Sequence, residues 1–333
     1  MFLRTARYPK RGNVKPETEV LPALPLALEA LDPAGLGRKR AIGRLMTRTA
    51  RFLTDAFLRE GFEWLLPVVF SRSTDPLWPD PGASIEKRLE VELYGETVRT
   101  TLSMIVHKLV ACSLLHPRLF VLSPNVRVER RERQATGWHA YEFTQFDFEM
   151  RDAVSHDVMR LVERTLVGLL EELSQWGRDD LAVLGRPGGL AVPGTPFRVY
   201  DREDLVARYG TSWELRLPQE IVAPVWVTNI PREFYDFEGD QWDNYDLFLP
   251  SYGEVLSGAR REWEYAKLLA KMARDSVPSE NYGLLLRLSR EGRLQPSAGA
   301  GIGLERLIAW IVGARHVGEV QPFPKVPGRV YDL

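Results

Sequence analysis

The run SAGAGIGLERLIAW, from Ser297 to Trp310, decides the reading of this chain. Up to Gly303, glycine recurs at every second position, as on one face of a strand. From Leu304 onward the pattern is that of a helix. The spacing does not match a dinucleotide-binding fingerprint, and no strand–helix–strand unit surrounds it. A strand face stripped of side chains lets a flat ligand lie close to the backbone. Arg306, at the start of the helix, sets a fixed cation beside that face and suits phosphate charge or a purine ring. The run alone also fits a glycine-rich packing strand with a solvated Glu305–Arg306 pair.

Two upstream segments complement it. In the first, Asn125 to Glu129 precedes Trp138 to Asp147. Side chains alternate along a strand, so Arg127 and Glu129 share a face, and so do Phe143, Gln145 and Asp147. Paired as a hairpin, they form a polar patch with an aromatic plate, suited to a stacked base and a phosphate. The charged run Glu129 to Arg133 also fits a solvent-facing sheet laced with ion pairs. In the second segment, Asp246 and Glu254 flank a strand bend and Arg261 follows. Two carboxylates there suit Mg²⁺ held through a nucleotide phosphate, and Arg261 suits a small carboxylate. Isolated carboxylates are also common surface residues.

Around these segments the chain reads as α+β. Residues 1–37 read as an irregular arm with room for one short helix. A helix follows from Arg38 and stops at Gly61. Residues 62–70, FEWLLPVVF, read as a strand interrupted at Pro67. Leu89 to Leu102 read as a hairpin around Tyr94 and Gly95. Ser103 caps a helix over Met104–Leu115, and Ser155 caps a long one to Trp176. Strands are expected at 119–132 and 140–151, a Gly/Pro-rich loop at 185–196, and a short helix after Asp201. Further strands lie in APVWVTNIP and YDLFLPSYGEVLSGARR, and a helix spans Glu262–Asp275. Long connections between the strands favour an antiparallel sheet over regular βαβ alternation.

Composition narrows the function class. The chain has 333 residues, 44 Lys+Arg against 45 Asp+Glu, and a net charge of −1. That balance argues against a wholly basic nucleic-acid binder, although a local basic groove remains compatible with it. One cysteine, Cys112, excludes an intramolecular disulfide framework and reads as a buried apolar residue. The scattered histidines give no zinc spacing. No apolar run is long enough to span a bilayer and no secretory signal opens the chain, so a cytoplasmic protein is expected.

Taken in order, the segments resemble the three signature motifs of class II aminoacyl-tRNA synthetases. LREGFEWLLPVVF resembles motif 1, RVE with HAYEFTQFDFEM motif 2, and GAGIGLERLIAW motif 3. EFTQFDFEM, SYGEVLSGARRE and GARHVGEVQPFPKVPGR are similar to the aspartyl/asparaginyl subgroup. SMIVHK, SPNVRVE and PSAGAGIGLERL resemble the archaeal-type asparagine synthetases related to asparaginyl-tRNA synthetase.

The resemblance implies an antiparallel sheet flanked by helices in a catalytic domain over 38–333, and a homodimer through motif 1. It implies that Arg127 binds the α-phosphate of ATP, Glu129 reads the adenine and Phe143 stacks on it. It puts Arg306 on the other adenine face and the terminal phosphate, with His139 and Gly303 also in the ATP site. It assigns Asp246 and Glu254 to Mg²⁺. Ser103, Lys108 and Arg261 would meet the amino-acid substrate, and Gln145 and Asp147 its α-amino group.

The implied reaction is ATP-dependent formation of an aspartyl-adenylate, then attack by ammonia to give asparagine, AMP and pyrophosphate. Arg127 and Arg306 would stabilise the developing charge. The roughly 40 residues before the motif 1 helix cannot build a five-stranded anticodon-binding barrel, so no tRNA partner is expected. Trp138 precedes His139 where the subgroup usually has arginine, and Gly318 also replaces a usual arginine. Trp138 opens a second reading, the same adenylate with an organic amine as acceptor. A third reading is a synthetase paralogue that has lost catalysis and binds partners.

Overall fold

The computed structural model describes residues 24–77 and 85–332. Residues 1–23 of the expected arm lie outside that set. Helix α1 spans Pro33–Arg59. It starts five residues before the expected Arg38, because Asp32 accepts a hydrogen bond from the Gly35 amide at 2.7 Å and Pro33 sits where a missing N–H costs nothing. Gly61, at φ +79°, ends the segment.

The expected strand at 62–70 is two short pieces, β1 (Glu63–Trp64) and β2 (Phe70–Ser71), on either side of Pro67. Next come β3 (Ile85–Lys87) and the hairpin β4 (Glu90–Leu93) and β5 (Glu96–Thr100), turning on Tyr94 and Gly95 at φ +54° and +80°. Helix α2 (Ile105–Leu114) follows, and the Ser103 hydroxyl accepts from the Ile105 amide at 3.3 Å.

The expected strand at 119–132 resolves into β6 (Arg118–Val126) and β7 (Val128–Glu129), then a 3-10 turn at Arg131–Thr136. Strand β8 (Glu142–Arg151) leads to helix α3 (Ser155–Trp176). Ser155 is the first helical residue rather than the cap. The Asp157 carboxylate takes the Val154 amide at 3.1 Å, while the Ser155 hydroxyl donates to the Asp243 carbonyl.

The remaining elements are α4 (Arg178–Val183), β9 (Arg198–Asp201), α5 (Arg202–Tyr209), α6 (Trp213–Glu220) and β10 (Val225–Thr228). Then come β11 (Asn244–Leu249), β12 (Gly253–Arg260), α7 (Tyr265–Arg274), α8 (Gly283–Arg290), β13 (Ser297–Gly303) and α9 (Leu304–Val312). The expected helix at Glu262–Asp275 starts three residues late, since the Glu262 carboxylate caps the amides of Trp263 and Glu264.

Eight strands form one sheet in the order β1-β6-β8-β13-β12-β11-β10-β9. The six central strands pair antiparallel; β1 and β9 join the edges parallel to their neighbours. The two faces differ sharply. On one, Phe146, Phe148, Ala298, Ala300 and Ile302 pack with α1, α3 and α9. Phe57 on α1 meets Phe62, Phe146 and Phe148 edge-on at 4.7–4.8 Å. Each such buried ring contributes roughly 1.5–3 kcal/mol. Cys112 is buried as expected, and burial pushes its thiol pKa upward.

Candidate active site

The other face of the sheet carries the polar side chains, and register explains their grouping. Val121, Asp147, Gly301, Ser257 and Asp246 lie in one row across five strands. The next row holds Leu119, Glu149, Gly299, Ala259 and Asn244. The third holds Ser123, Gln145 and Gly303. The glycines of β13 therefore form the floor between Asp147 and Glu149 of β8 and Asp246 of β11. The floor is tight. A Cβ at Gly299 would stand 2.2 Å from the Phe148 carbonyl oxygen and 2.3 Å from Glu149 Oε2.

On this same face, beside Gly299 and Gly301, lies a buried charge network. Lys108 on α2 pairs with Asp147, donates to the carbonyl of Phe148 at 3.2 Å, and lies 3.4 Å from Glu149 Oε2. Arg261 pairs with Asp236, contacts Glu149 at 3.2 Å, and donates to the Gly299 carbonyl at 2.9 Å. Burial raises the Asp147 pKa, against the pull of Lys108. Of the residues expected to meet the amino acid, Lys108, Asp147 and Arg261 are thus brought together, each already matched to protein charges. Gln145 accepts from Asn125 Nδ2 at 2.7 Å. The Ser103 hydroxyl donates to Asp75 at 3.3 Å.

A second group lies toward the ends of β8, β12 and β13. Glu129 is buried, which raises its pKa, while Arg133, Arg127 and Arg306 act on it in the opposite direction. Arg133 pairs with it at 3.0 Å. The Arg127 guanidinium lies 5.1 Å from the centre of the Phe143 ring and donates to the Leu102 carbonyl at 2.9 Å. So Phe143 stacks with Arg127 on one side, as a plate with a cation beside it. Arg306 donates to the carbonyls of Trp138 and Glu254, each at 3.1 Å, and approaches Glu254 Oε1 at 3.5 Å. Gly303 leaves space against the Arg306 stem: a Cβ there would meet it at 3.7 Å. The His139 Nδ1 bonds to the Thr136 hydroxyl at 2.7 Å. The Trp138 ring lies against Gly253, next to the Arg306–Glu254 pair.

Asp246 pairs with Arg232 through one oxygen, while its other oxygen is buried without a hydrogen-bond partner. Burial, with Glu254 adding to it, pushes its pKa up to about 7 against the pull of Arg232. A buried acceptor in that state, with a second carboxylate near, fits a hard divalent cation. Among the described residues no cluster of three His, Cys, Asp or Glu side chains forms a closed metal site. Any cation here would take part of its shell from phosphate oxygens and water.

Several partners escape a reading of the sequence. Arg232 and Asp236 sit in a loop without period. Glu305 is a further case: both its oxygens take the Thr144 amide at 3.0 Å, fixing α9 to β8, and burial pushes its pKa up to about 6. Glu149 was not among the expected site residues, although it lies two residues beyond Asp147 on the same strand face, a spacing that marks it.

The family profile for "tRNA synthetases class II (D, K and N)" matches residues 102–327. The asparagine–tRNA ligase of Koribacter versatilis (strain Ellin345) is 27% identical over 326 residues, covering 88% of this chain and 70% of that protein. The enzyme of the same name from Thermococcus kodakarensis is 29% identical over 241 residues, 64% of this chain and 54% of its own length. Among solved structures, asparaginyl-tRNA synthetase from Pyrococcus horikoshii complexed with asparaginyl-adenylate superposes with a TM-score of 0.76 at 20% identity. That match covers 91% of this chain and 74% of the other. The Entamoeba histolytica asparaginyl-tRNA synthetase complex gives 0.76 at 18%, over 88% and 68%. The α+β fold is therefore as expected, and the chain belongs to the class II tRNA synthetases of the D, K and N group.

Proposed function

We propose that the chain activates aspartate, or a close analogue, with ATP as an acyl-adenylate, and that ammonia takes the acyl group to give asparagine. The observation that supports this most is the glycine floor of β13. It has the cation-carboxylate network of Lys108, Asp147 and Arg261 on one side and the Arg127–Glu129–Arg306 group on the other. One side suits a zwitterionic amino acid and the other a nucleotide.

In this reading Asp147 and Gln145 accept the α-ammonium, and Lys108 and Arg261 orient the carboxylates. A substrate carboxylate oxygen attacks the α-phosphorus. A new P–O bond forms as the bond to the bridging oxygen of the β-phosphate breaks, and pyrophosphate leaves with that electron pair. Arg127 and Arg306 hold the phosphate oxygens, and no side chain forms a covalent bond. Asp246 and Glu254 would hold Mg²⁺, which when bound offsets charge on the polyphosphate. In the second step the ammonia nitrogen attacks the acyl carbon, the acyl–O bond breaks, AMP departs, and nitrogen loses a proton.

The test is incubation with aspartate, ATP, Mg²⁺ and ¹⁵N-ammonium, with mass spectrometry of the products and a parallel ATP–pyrophosphate exchange assay. Aspartate-dependent exchange together with ¹⁵N-asparagine and AMP is expected. Exchange without asparagine at any ammonium concentration refutes the acceptor. No exchange with any amino acid refutes the activation step. A second reading, asparagine activated and passed to tRNA, is favoured by the names of the two relatives. Asparagine-dependent exchange with charging of tRNA would establish it instead.

A further inference from the structure

Buried charge around the amino-acid side of the floor does not balance. Six carboxylates are buried there: Asp75, Asp147, Glu149, Glu233, Asp236 and Asp246. Three cations meet four of them. Lys108 pairs with Asp147 and lies 3.4 Å from Glu149, Arg261 contacts Glu149 and Asp236, and Arg232 pairs with Asp246. Lys271, another buried cation nearby, is matched by Glu262 at 3.2 Å. Asp75 and Glu233 have no ion-pair partner among the described residues. Asp75 takes the Leu77 amide at 2.8 Å and the Ser103 hydroxyl at 3.3 Å. The Glu233 carboxylate is 9% exposed and accepts no hydrogen bond from another described residue.

The two unpaired acids lie together. The Tyr282 hydroxyl donates to the Thr74 carbonyl at 2.8 Å, and the Tyr282 ring meets Phe234 edge-on at 4.9 Å, so residues 74–75 and 233–234 flank one ring. Burial pushes the Glu233 pKa well above its ordinary value, and the charge of Asp75 is the next cause, with Arg232 opposing. The charges of both acids also reach the Tyr235 and Tyr282 hydroxyls. Arg88 donates to the main-chain carbonyls of Asp75 and Pro76 rather than to either carboxylate. The pair adjoins the residues assigned to the amino acid. Ser103 bonds to Asp75, and the Glu233 carbonyl takes the amide of Asp236, the partner of Arg261.

We infer that Asp75 and Glu233 form the binding site for the acceptor as the ammonium ion, and take its proton before attack. The inference rests on the proposed function and names the acceptor subsite within it. Two buried carboxylates that repel each other gain most from a small cation with several N–H donors. Aspartate does not restore the balance, because its two carboxylates add negative charge and its α-ammonium falls to Asp147 and Gln145. Ammonium has no free electron pair until it loses a proton. In the step, one N–H proton passes to the Glu233 carboxylate. The freed pair attacks the acyl carbon, the acyl–O bond breaks, and AMP leaves with those electrons. A second proton passes from nitrogen to Asp75, and both acids return their protons to water as products leave. A carboxylate biased toward its protonated form suits that task.

Glu233→Gln and Asp75→Asn test the pair, with asparagine formation at varied ¹⁵N-ammonium and ATP–pyrophosphate exchange at varied aspartate and ATP. Each variant should raise KM for ammonium about tenfold or more, the loss of one charge-assisted hydrogen bond. KM for aspartate and for ATP in exchange should change less than about twofold, because activation precedes the acceptor. Hydroxylamine is uncharged at neutral pH and needs no cation site, so both variants should keep hydroxamate formation. An unchanged KM for ammonium overturns the inference. So does an equal rise in KM for aspartate, which would make the pair the α-ammonium site. Melting curves in NH4Cl against equal NaCl separate this inference from the proposed function. Ammonium should raise the melting temperature of the wild type and not of Glu233→Gln. That shift without any asparagine formed would refute the proposed function alone, and its absence from the wild type would refute the site.

Discussion

Replacing Lys108 with Met removes one buried cation and leaves its packing volume nearly unchanged. The ammonium is 2% exposed, pairs with Asp147, and donates to the carbonyls of Phe148 and Ala300 at 3.2 and 3.4 Å. Asp147 is itself 3% exposed, so the variant strands a carboxylate with no water to replace its partner. Breaking a buried pair from one side costs about 3–5 kcal/mol. Asp147→Asn alone should cost less, about 1–3 kcal/mol, since Lys108 keeps Glu149 and two carbonyls. Urea unfolding of both single variants and the double variant closes the cycle, with an expected coupling of about 2 kcal/mol or more.

The sign with pH is also fixed. Burial already raises the Asp147 pKa, and losing Lys108 raises it further. The folded Lys108→Met protein then holds a proton that the unfolded chain releases near pH ~4. Its stability is therefore best at low pH and falls as pH rises, so its deficit against wild type should be small at about pH 4 and largest at neutral pH. Additive single variants, or a deficit independent of pH, would refute the view that this pair is the buried anchor of the site.

Arg306→Ala should cut amino-acid-dependent ATP–pyrophosphate exchange by about 10²–10³ while leaving the urea midpoint in place; retained exchange would remove Arg306 from the nucleotide site. Gly299→Ala should destabilise by about 1–3 kcal/mol or more in thermal unfolding, because its Cβ collides with backbone and with Glu149. Gly43→Ala, where nothing lies within 4 Å on an exposed helix, should instead stabilise by about 0.5–1 kcal/mol. Lys39 donates to the carbonyls of Gly318, Glu319 and Gln321, and burial pulls its pKa down from 10.5 to about 8, with Glu319 opposing. Its lowered value means stability rises as pH climbs from about 8 toward 10.5. After allowance for partial solvent screening that rise is roughly 1–2 kcal/mol. It should be missing in Lys39→Met when urea curves at about pH 7.5 and 10 are compared.

Local chemistry made much of the fold legible. Tyr94 and Gly95 announce a two-residue turn, and both do adopt positive φ. Asp201 caps its helix through the Glu203 amide at 2.7 Å. The α1 start was harder, because Pro33, Gly35 and Gly37 read as loop while Asp32 and Pro33 are in fact a cap and a first helical residue. Ser155 has the right chemistry for a cap, but its hydroxyl is engaged by a carbonyl 88 residues away, and a local pattern carries no trace of that. The same holds in the site. Period two placed Gln145, Asp147 and the glycines on one face, since strand geometry alone dictates it. The partners Arg232 for Asp246 and Asp236 for Arg261 arrive from a loop whose position only the folded sheet defines.

The two faces of β13 meet different surroundings, and the proposed site uses only one of them. Ala298, Ala300 and Ile302 face the helices, and their bulk is set by packing density. Gly299, Gly301 and Gly303 face the polar side, yet they are not equivalent. At Gly299 an added Cβ meets a backbone oxygen, which cannot move without disturbing β8. At Gly301 it meets the Gln145 amide nitrogen at 2.9 Å and Asp147 Oδ1 at 3.3 Å, both at the ends of side chains. Gln145 can swing aside by breaking its bond to Asn125 at the cost of about 1 kcal/mol, so the fold should survive Gly301→Ala with a small shift in melting temperature. The displaced side chains are the ones assigned to the α-ammonium. The variant should therefore raise KM for the amino acid about tenfold or more and change KM for ATP little, read by pyrophosphate exchange at varied amino acid and varied ATP. Equal effects on both constants would mean that the glycine floor serves the nucleotide and the amino acid together, and that the division of the site across β13 is wrong.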